Sequence, residues 1–413
     1  MRRRVVITGL GAVTSQGVGV GALWEGVRAG RSGIKFLTRF DTALFPTKVA
    51  AQVDAFDPAA HFPPHRLKRL DRYAQFSLAV ASEALRGAGL ERPEESEPLW
   101  DTGISFGTAL GGIAGAEDRH LRYLEGGPEA IPPALALQVF GGSAHANIAI
   151  RHNLRGYATT NSNSCASGAV AIGEAFRAIR DGYAERMVAG AAEAPLSPLT
   201  FGAFDAIKSM TKETADPAAA CRPFDRARSG FVMGEGGAAL ILEEREGALK
   251  RGATIHAEVL GYSLNNDAHH MTSSLADGAA AIRAMRAALD EAGVAPGQVG
   301  YVNAHASGTP MNDANEGTAL RAVFGSSGSH RPAVSGTKPF TGHPLGATGA
   351  LEAVLICLAF RDGWLPPNLN CPDPDVPDLD LVLGAGREAK VGYALSNSFG
   401  FGGINACLVL GAP

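Results

Sequence analysis

The 413-residue sequence has little cysteine, no excess of basic charge and no long uninterrupted hydrophobic run. Its five cysteines form no CxxC pair and are odd in number, which favours a reducing cytoplasm over a disulfide framework. A formal net charge of −4 argues against a protein that binds nucleic acid. The apolar stretch Leu351–Phe360 is about half a membrane span and contains Glu352, so we expect no transmembrane helix and no membrane partner.

Short β-rich runs alternate with alanine-rich helical stretches along the whole chain. Strand-like runs include Arg4–Thr8, Thr102–Gly107 and Val299–Asn303, and helical ones include Ala114–Leu124 and Ala279–Glu291. This alternation predicts an α/β fold with parallel sheet content. We place a domain boundary near residues 246–254. It divides the chain into a first part, 1–250, which contains Cys165, and a second part, 251–413, which contains His305 and His343.

Two further segments require an interpretation of their local structure. Gly9-Leu10-Gly11 after the first strand imitates a dinucleotide fingerprint, but Thr14 stands at the third glycine position, so we interpret the segment as a tight structural turn. Residues Glu193–Gly237 are predicted as one long loop, and loops of that length in compact enzymes are usually functional.

Cys165 lies in Asn161-Ser162-Asn163-Ser164-Cys165-Ala166-Ser167-Gly168, where a small-residue helix predicted over Gly168–Ile179 begins. A free cysteine is commonly a buried small hydrophobe. The polar turn around Cys165 instead suits the presentation of a nucleophile, and a helix N-terminus favours thiolate over thiol. The free N–H groups at that helix start can also serve as an oxyanion hole.

His305 and His343 each follow a β-like run and sit among Gly, Ser and Thr, where a substrate can approach the backbone. Neither belongs to an HxxxH or HExxH pattern, so a zinc site is not expected. Lys338 lies five residues before His343 and is placed to tune it electrostatically. A cysteine, two imidazoles and a lysine can form a thioester and then perform carbanion chemistry on a second one.

These residues fall within ordered motifs that cover nearly the whole chain. The chain resembles the elongating β-ketoacyl-(acyl carrier protein) synthases, which are condensing enzymes of the thiolase fold. The motifs that carry the resemblance are Val5–Gly11, the Cys165 turn, Arg222-Pro223-Phe224-Asp225, Gly230–Gly236, the His305 and Lys338/His343 turns, and Asn397–Asn405.

The resemblance implies a five-layered α-β-α-β-α fold built from two similar halves, and a role for each motif residue. Cys165 would take the acyl chain from acyl carrier protein, while His305 and His343 would hold the malonyl thioester during decarboxylation. Lys338 and Glu352 would orient and tune the site, and the N–H groups of Cys165 and Phe401 would form the oxyanion hole. Predicted substrate contacts are Thr309, Ser307, Leu110, Phe399 and Gly402.

Partners and cofactors follow from the same resemblance. Acyl carrier proteins are acidic, so the basic residues Arg66, Lys68, Arg69 and Lys208 are predicted docking charges. A homodimer is expected, with a heterodimer containing a chain-length factor as the alternative. No cofactor is expected, although some relatives hold a structural monovalent cation at positions that match Asn303, Glu352 and Asn397.

Three alternatives accompany fatty acid elongation. The His305 turn continues Ala306-Ser307 where fatty-acid relatives usually have Gly-Thr, which leaves open a ketosynthase of a type II polyketide or polyene pathway. A degradative thiolase shares the fold but typically uses a second cysteine as base, whereas this chain offers two histidines. A catalytically dead chain-length factor lacks the nucleophile, and the intact Cys165 argues against it.

Overall fold

A computed structural model describes residues 2–92, 96–325 and 331–413. The strands are β1 (Val5–Thr14), β2 (Gly17–Val18), β3 (Lys35–Phe36), β4 (Val49–Ala50), β5 (Thr102–Gly107), β6 (Ala158–Asn161), β7 (Arg186–Glu193), β8 (Gly236–Glu244), β9 (Ala257–Asn266), β10 (Tyr301–Asn303), β11 (Ala333–Ser335), β12 (Trp364–Leu365), β13 (Asp380–Leu381), β14 (Arg387–Glu388), β15 (Tyr393–Gly400) and β16 (Ile404–Gly411).

The α-helices are α1 (Val20–Arg28), α2 (Pro64–Leu67), α3 (Arg72–Gly87), α4 (Ile113–Gly126), α5 (Leu135–Gln138), α6 (Ser143–His152), α7 (Ser167–Arg180), α8 (Pro198–Ala206), α9 (Arg245–Lys250), α10 (Ala279–Ala292), α11 (Pro310–Phe324), α12 (Lys338–Thr341) and α13 (Thr348–Asp362). Among the described helices, none has the length and apolar character needed to cross a bilayer.

The main sheet repeats one pairing pattern twice. In the first half the strand order is β6-β5-β7-β8-β1, and in the second half it is β13-β11-β10-β15-β16-β9. In the first half, β1 pairs with β8 and β8 with β7 in antiparallel fashion, and the next pairing, of β7 with β5, is parallel. In the second half, β9 pairs with β16 and β16 with β15 in antiparallel fashion, and the next pairing, of β15 with β10, is parallel. The halves join where β1 pairs with β9 through Val5–Ile7. This shared pattern shows that the two halves have the same topology.

The helices cover these strands in layers, each filled by its own apolar cluster. Helices α3 and α6 pack on the outer face of the first half, and α10 and α11 on that of the second. Helices α7 and α13 lie between the halves and contact each other and strands of both. The α-β-α-β-α order predicted from the resemblance is therefore confirmed, and the two central helices are buried as expected.

The two halves also share the turn that precedes each central helix. A 3₁₀ turn, Ser164–Ala166, leads into α7, and a second, Leu345–Ala347, leads into α13. Ser164 and Leu345, the first residue of each, have φ values of 52° and 38°. A left-handed residue bends the chain sharply, so each half directs a short turn at the molecular centre. Cys165 occupies one of these turns.

Two sequence interpretations differ from the structure. Gly9 and Gly11 form no turn but lie inside β1, which continues to Thr14. Helix α3 packs so closely on β1 that a Cβ at Gly11 would lie 2.1 Å from the Val80 carbonyl oxygen, so glycine is needed there for packing. The predicted loop Glu193–Gly237 contains α8, which begins with Pro198 at its first turn, a position that tolerates proline.

We predict that Gly11→Ala destabilises the protein by about 1–3 kcal/mol or more, because the added methyl group meets helix backbone that cannot rotate away. The matched control is Gly21→Ala in α1, where an added Cβ meets no atom within 4 Å. That control is expected to change stability by less than about 1 kcal/mol, in the stabilising direction. Urea unfolding of both variants measures the difference, and equal midpoints would contradict the packing explanation.

Candidate active site

Cys165 is held at the N-terminus of α7 by the turn described above. Strand β15 passes so close that a Cβ on Gly400 would lie 3.2 Å from the Cys165 backbone nitrogen. Directly after that strand, the Phe401 N–H makes a hydrogen bond that lowers the pKa of the Cys165 thiol. The predicted oxyanion-hole residues, Cys165 and Phe401, are therefore adjacent.

The Cys165 thiol lies 3.1 Å, Sγ to Nε2, from His343. Only 7% of the residue is exposed, and burial raises the pKa of this thiol to about 11, although the Ser164 hydroxyl, the Lys338 charge and the Phe401 N–H oppose that rise. The thiolate expected from the helix N-terminus is therefore not the resting form. Removal from water disfavours a charged group, so burial favours a neutral thiol in the free enzyme.

The two predicted histidines lie beside each other. The ring centroids of His305 and His343 are 5.4 Å apart, and the rings are nearly perpendicular. Both are buried, and burial first, then the Lys338 charge, keep the pKa of each imidazole well below its usual range. Both are therefore neutral at pH 7. The Thr348 hydroxyl lies 2.9 Å from His343 Nδ1, and because a hydroxyl can donate or accept, it suits either neutral tautomer.

Two buried charged groups fix the His305 backbone from opposite sides. Lys338, buried at the start of α12, donates from Nζ to the His305 carbonyl oxygen and to Glu352 Oε1, the latter at 2.8 Å. On the other side, the Glu316 carboxylate accepts the His305 and Ala306 N–H groups at 2.8 and 2.7 Å. Lys338 and Glu352 thus occupy the places predicted for them. Glu316 was not predicted, because a glutamate in a helical pattern gives no signal of burial.

A pocket opens onto the sulfur and both imidazoles. It contains four of the predicted residues besides the Cys165–His305–His343 set: Ser307, Thr309, Phe399 and Phe401. Its other lining residues are Phe204, Phe231, Asp267, Met271, Thr272, Ser273, Ser274, Met311, Asn312, Leu345, Gly400, Gly403 and Asn405. The sequence signalled few of these, since they come from separate loops that only tertiary folding brings together. Phe231, within the Gly230–Gly236 motif, packs edge-on to His343.

Two predicted substrate contacts lie elsewhere. Gly402 does not line the pocket; its N–H donates instead to the Met271 carbonyl at 2.7 Å and so joins two loops of the rim. Leu110 lies in an apolar cluster that also contains Cys165, Phe201 and Leu345. An acyl group on the sulfur would therefore meet Leu110 only if its chain extended into this cluster.

The docking role of the four basic residues stays a prediction, and the structure gives their exposure. Lys68, Arg69 and Lys208 are exposed, whereas Arg66 is half-buried at the end of α2. Lys208 follows α8 closely, and the Ser209 hydroxyl beside it donates to the carbonyl of the pocket residue Phe204 at 3.1 Å. Lys208 is therefore one residue away in the chain from a side chain that contacts the pocket wall.

The predicted cation position holds oxygens that suit a hard cation. Asn303 Oδ1, Glu352 Oε2 and Ser396 Oγ are buried and have no hydrogen-bond partner among the described residues. Asn303 and Ser396 are cross-strand neighbours on β10 and β15. The Asn397 amide oxygen accepts from the Cys407 thiol with one of its two lone pairs, and its place at the cation stays a prediction. Carboxylate, amide and hydroxyl oxygens are ligands of hard cations. Asn303, Glu352 and Ser396 would hold a monovalent cation, whose charge would offset that of the carboxylate.

Two family models match the chain, one to each half. Residues 2–248 match the β-ketoacyl synthase N-terminal domain, and residues 256–372 match the β-ketoacyl synthase C-terminal domain. Together they cover well over half of the sequence.

Individual relatives agree with this. The chain is 40% identical to the 3-oxoacyl-[acyl-carrier-protein] synthase 2 of Coxiella burnetii over 410 residues, 99% of this chain and 98% of that one. Two solved structures match the whole of both chains at 36% identity and a TM-score of 0.91. One is a type II polyketide ketosynthase in complex with its acyl-carrier protein, and the other is the ishigamide ketosynthase/chain length factor. The chain therefore belongs to the β-ketoacyl synthases, condensing acyltransferases of the thiolase-like fold.

Proposed function

We propose that this protein elongates acyl chains on acyl carrier protein by decarboxylative condensation, with Cys165, His305 and His343 as its catalytic residues. The observation that carries this assignment is the 3.1 Å contact between Cys165 Sγ and His343 Nε2, with the second neutral imidazole beside it in one pocket. The Coxiella burnetii relative, a 3-oxoacyl-[acyl-carrier-protein] synthase 2, supports fatty acid elongation.

In the loading step, the Cys165 sulfur attacks the carbonyl carbon of an acyl thioester on the carrier. The carbon–sulfur bond to the carrier breaks, and the thiol proton of Cys165 ends on the carrier thiol that leaves. The N–H groups of Cys165 and Phe401 face the developing oxyanion. The new acyl group lies against the apolar cluster that surrounds Cys165.

In the condensation step, a malonyl thioester binds with its carbonyl oxygen toward the imidazoles of His305 and His343. The bond between its methylene carbon and its carboxylate breaks, carbon dioxide leaves, and the electron pair forms an enolate. Neutral imidazoles that donate N–H stabilise that negative charge without themselves losing a proton. The enolate carbon attacks the acyl carbonyl, the Cys165 thiolate departs, and a proton from solvent restores the thiol.

A second pathway fits the same chemistry. One solved structure that matches the whole chain is a type II polyketide ketosynthase in complex with its acyl-carrier protein, and another is the ishigamide ketosynthase/chain length factor. Intact-mass analysis of the purified protein with a panel of acyl-carrier thioesters distinguishes the two pathways. Loading of saturated chains of increasing length supports fatty acid elongation, whereas selective loading of polyketide or polyene chains supports the alternative.

The apolar surface around β6 supports a homodimer. Strand β6 lies at the end of the sheet order, so its outer edge is free to pair. Large apolar side chains are exposed on the neighbouring segments: Leu121, Leu124, Leu137, Phe140, Ile150 and Tyr157. Surface patches of this kind are typical of protein interfaces. The alternative is a heterodimer, as in the ketosynthase/chain length factor that this chain resembles.

We predict that Cys165→Ser abolishes acyl loading, because serine lacks the nucleophilic sulfur at the end of the pocket. The matched control, Cys371→Ala, removes a buried cysteine outside the pocket and should load normally. Mass spectrometry after incubation with an acyl-carrier thioester detects the acyl adduct. Retained loading by Cys165→Ser would defeat the assignment.

His343→Ala should lose condensation by about 100-fold or more, the cost of removing one oxyanion donor, and should lose loading far less. Single-turnover assays separate the two steps, because acyl transfer is followed by mass and condensation by release of carbon dioxide. Equal loss in both steps would show that His343 acts mainly on the nucleophile.

Alkylation of Cys165 by iodoacetamide should accelerate about tenfold per pH unit from pH 7 to 10, because burial raises the pKa of this thiol to about 11. A short peptide with one cysteine serves as the exposed reference, and its rate should level off above the ordinary thiol pKa of about 8.5. Peptide mass analysis follows residue 165 alone. A plateau below pH 8 would mean that the resting group is a thiolate.

The double variant Leu137→Asp/Phe140→Asp should shift the native mass from dimer to monomer, because two charges would be buried at the interface. Leu383→Asp, an exposed leucine in the second half, is the control and should leave the mass unchanged. A wild-type protein that is monomeric on its own and dimerises only with a second polypeptide would support the heterodimer.

A further inference from the structure

Glu193 ends β7 with a fully buried carboxylate that the reaction described above does not use. Burial raises the pKa of this group to about 7, and the hydrogen bonds that it receives oppose that rise. A buried carboxylate is costly unless each of its lone pairs is satisfied, so its partners indicate why it is there.

The carboxylate accepts four hydrogen bonds. In the first half, Oε1 accepts from the Thr108 hydroxyl and the Leu110 N–H at 2.9 and 3.1 Å, and Oε2 accepts from the Ala109 N–H at 2.6 Å. From the second half, the Gly346 N–H donates to Oε2 at 3.2 Å. The Thr108 hydroxyl accepts from the Gly111 N–H, so its own proton is directed at Glu193. Four donors occupy the four lone pairs of the carboxyl group, which favours the ionised, acceptor-only form and opposes the protonated form that burial favours.

These donors belong to the two segments that frame the reacting atoms. On one side, the Ser167 hydroxyl accepts the Asn163 N–H of the Cys165 turn and shares its one proton between two carbonyls, that of Ser164 at 2.8 Å and that of Thr108 at 3.2 Å. On the other side, Gly346 lies in the turn that follows His343, next to Leu345 of the pocket wall. The contact is close, because a Cβ on Gly346 would lie 2.7 Å from Glu193 Oε2.

We propose that Glu193 is a positioning residue, whose ionised carboxylate ties residues 108–110 of the first half to the turn Leu345–Ala347 of the second. In doing so it sets the separation between Cys165 and His343 that condensation requires. This role rests on the proposed function, since it concerns the same sulfur and imidazole. The carboxylate also acts on Cys165 through space: its negative charge raises the pKa of the thiol. Loss of the Glu193 charge should therefore make the Cys165 thiol more reactive. Loss of the tie between the two segments should make condensation slower.

The test is Glu193→Gln. Glutamine has the shape of glutamate, but its NH₂ group would face the N–H donors that the carboxylate oxygens accept. We expect kcat for condensation to fall by about 10- to 100-fold, the range that a misplacement of about 1 Å produces, while KM for acyl carrier changes less than about threefold. Alkylation of Cys165 by iodoacetamide should be as fast as in the wild type or faster. A kcat within about threefold of the wild type would overturn the proposal. A cooperative urea-unfolding transition shows that the variant is folded, because a general loss of structure would also expose the thiol and speed its alkylation.

Glu83→Gln is the matched control. Glu83 is a half-buried glutamate whose carboxylate also accepts two backbone N–H groups, from Ala12 and Val20, and it does not line the pocket. It should lose stability to a similar degree and keep kcat within about threefold of the wild type. Equal kcat in the two variants would overturn the proposal.

If Glu193→Gln does not fold, Thr108→Val is the second test. Valine has nearly the same shape as threonine but lacks the hydroxyl, so one of the four donors to Glu193 is removed. It should lower kcat by about 3- to 10-fold at unchanged loading, and an unchanged kcat would overturn the proposal. Wild-type protein is assayed first with acyl and malonyl carriers. Failure of the wild type to condense defeats the proposed function, whereas a condensing wild type with an equally active Glu193→Gln variant defeats only the positioning role.

Discussion

The active site depends on the contact between two helix N-termini at the centre of the molecule. A Cβ on Gly168 would lie 2.6 Å from the Ala350 nitrogen, and one on Gly349 would lie 2.7 Å from the Ala169 nitrogen, so α7 and α13 meet backbone to backbone. Because Cys165 precedes one helix and His343 precedes the other, their 3.1 Å contact follows from this packing. Residues larger than glycine at positions 168 and 349 would push α7 and α13 apart and so separate Cys165 from His343.

Burial around this contact between α7 and α13 favours the neutral forms of the Cys165 thiol and of both imidazoles. Lys338 is paired with Glu352, and its positive charge helps to keep both imidazoles unprotonated. Glu316 and Glu193 have their charge satisfied by N–H and O–H donors. Each of these groups is costly to bury alone, and their networks hold the loops of the site in place. The same burial that makes Cys165 a thiol at rest strengthens every hydrogen bond to the charge that forms during the reaction.

Much of the fold could be predicted from local patterns, because strand and helix periodicity are local properties. The run Thr102–Gly107 is a strand with those bounds, and the helix expected over Gly168–Ile179 is present as Ser167–Arg180. Prediction failed where packing decides the outcome. Gly11 looked like a turn residue because glycine usually marks one, and α8 was missed because proline and glycine obscured a helix that buries Phe201. Glu316 and Glu193 were missed because nothing local distinguishes a buried glutamate from an exposed one.

The sequence by itself determined which groups can react: one cysteine in a polar turn at a helix start, two histidines on small-residue turns, and a lysine near the second of them. It also determined the alternation of strands and helices from which the layers are built. Only the tertiary structure decided that residues 165, 305 and 343 meet, that the thiol is protonated and that both imidazoles are neutral. The reason is that proximity and desolvation arise from segments far apart in the chain, and protonation follows from both.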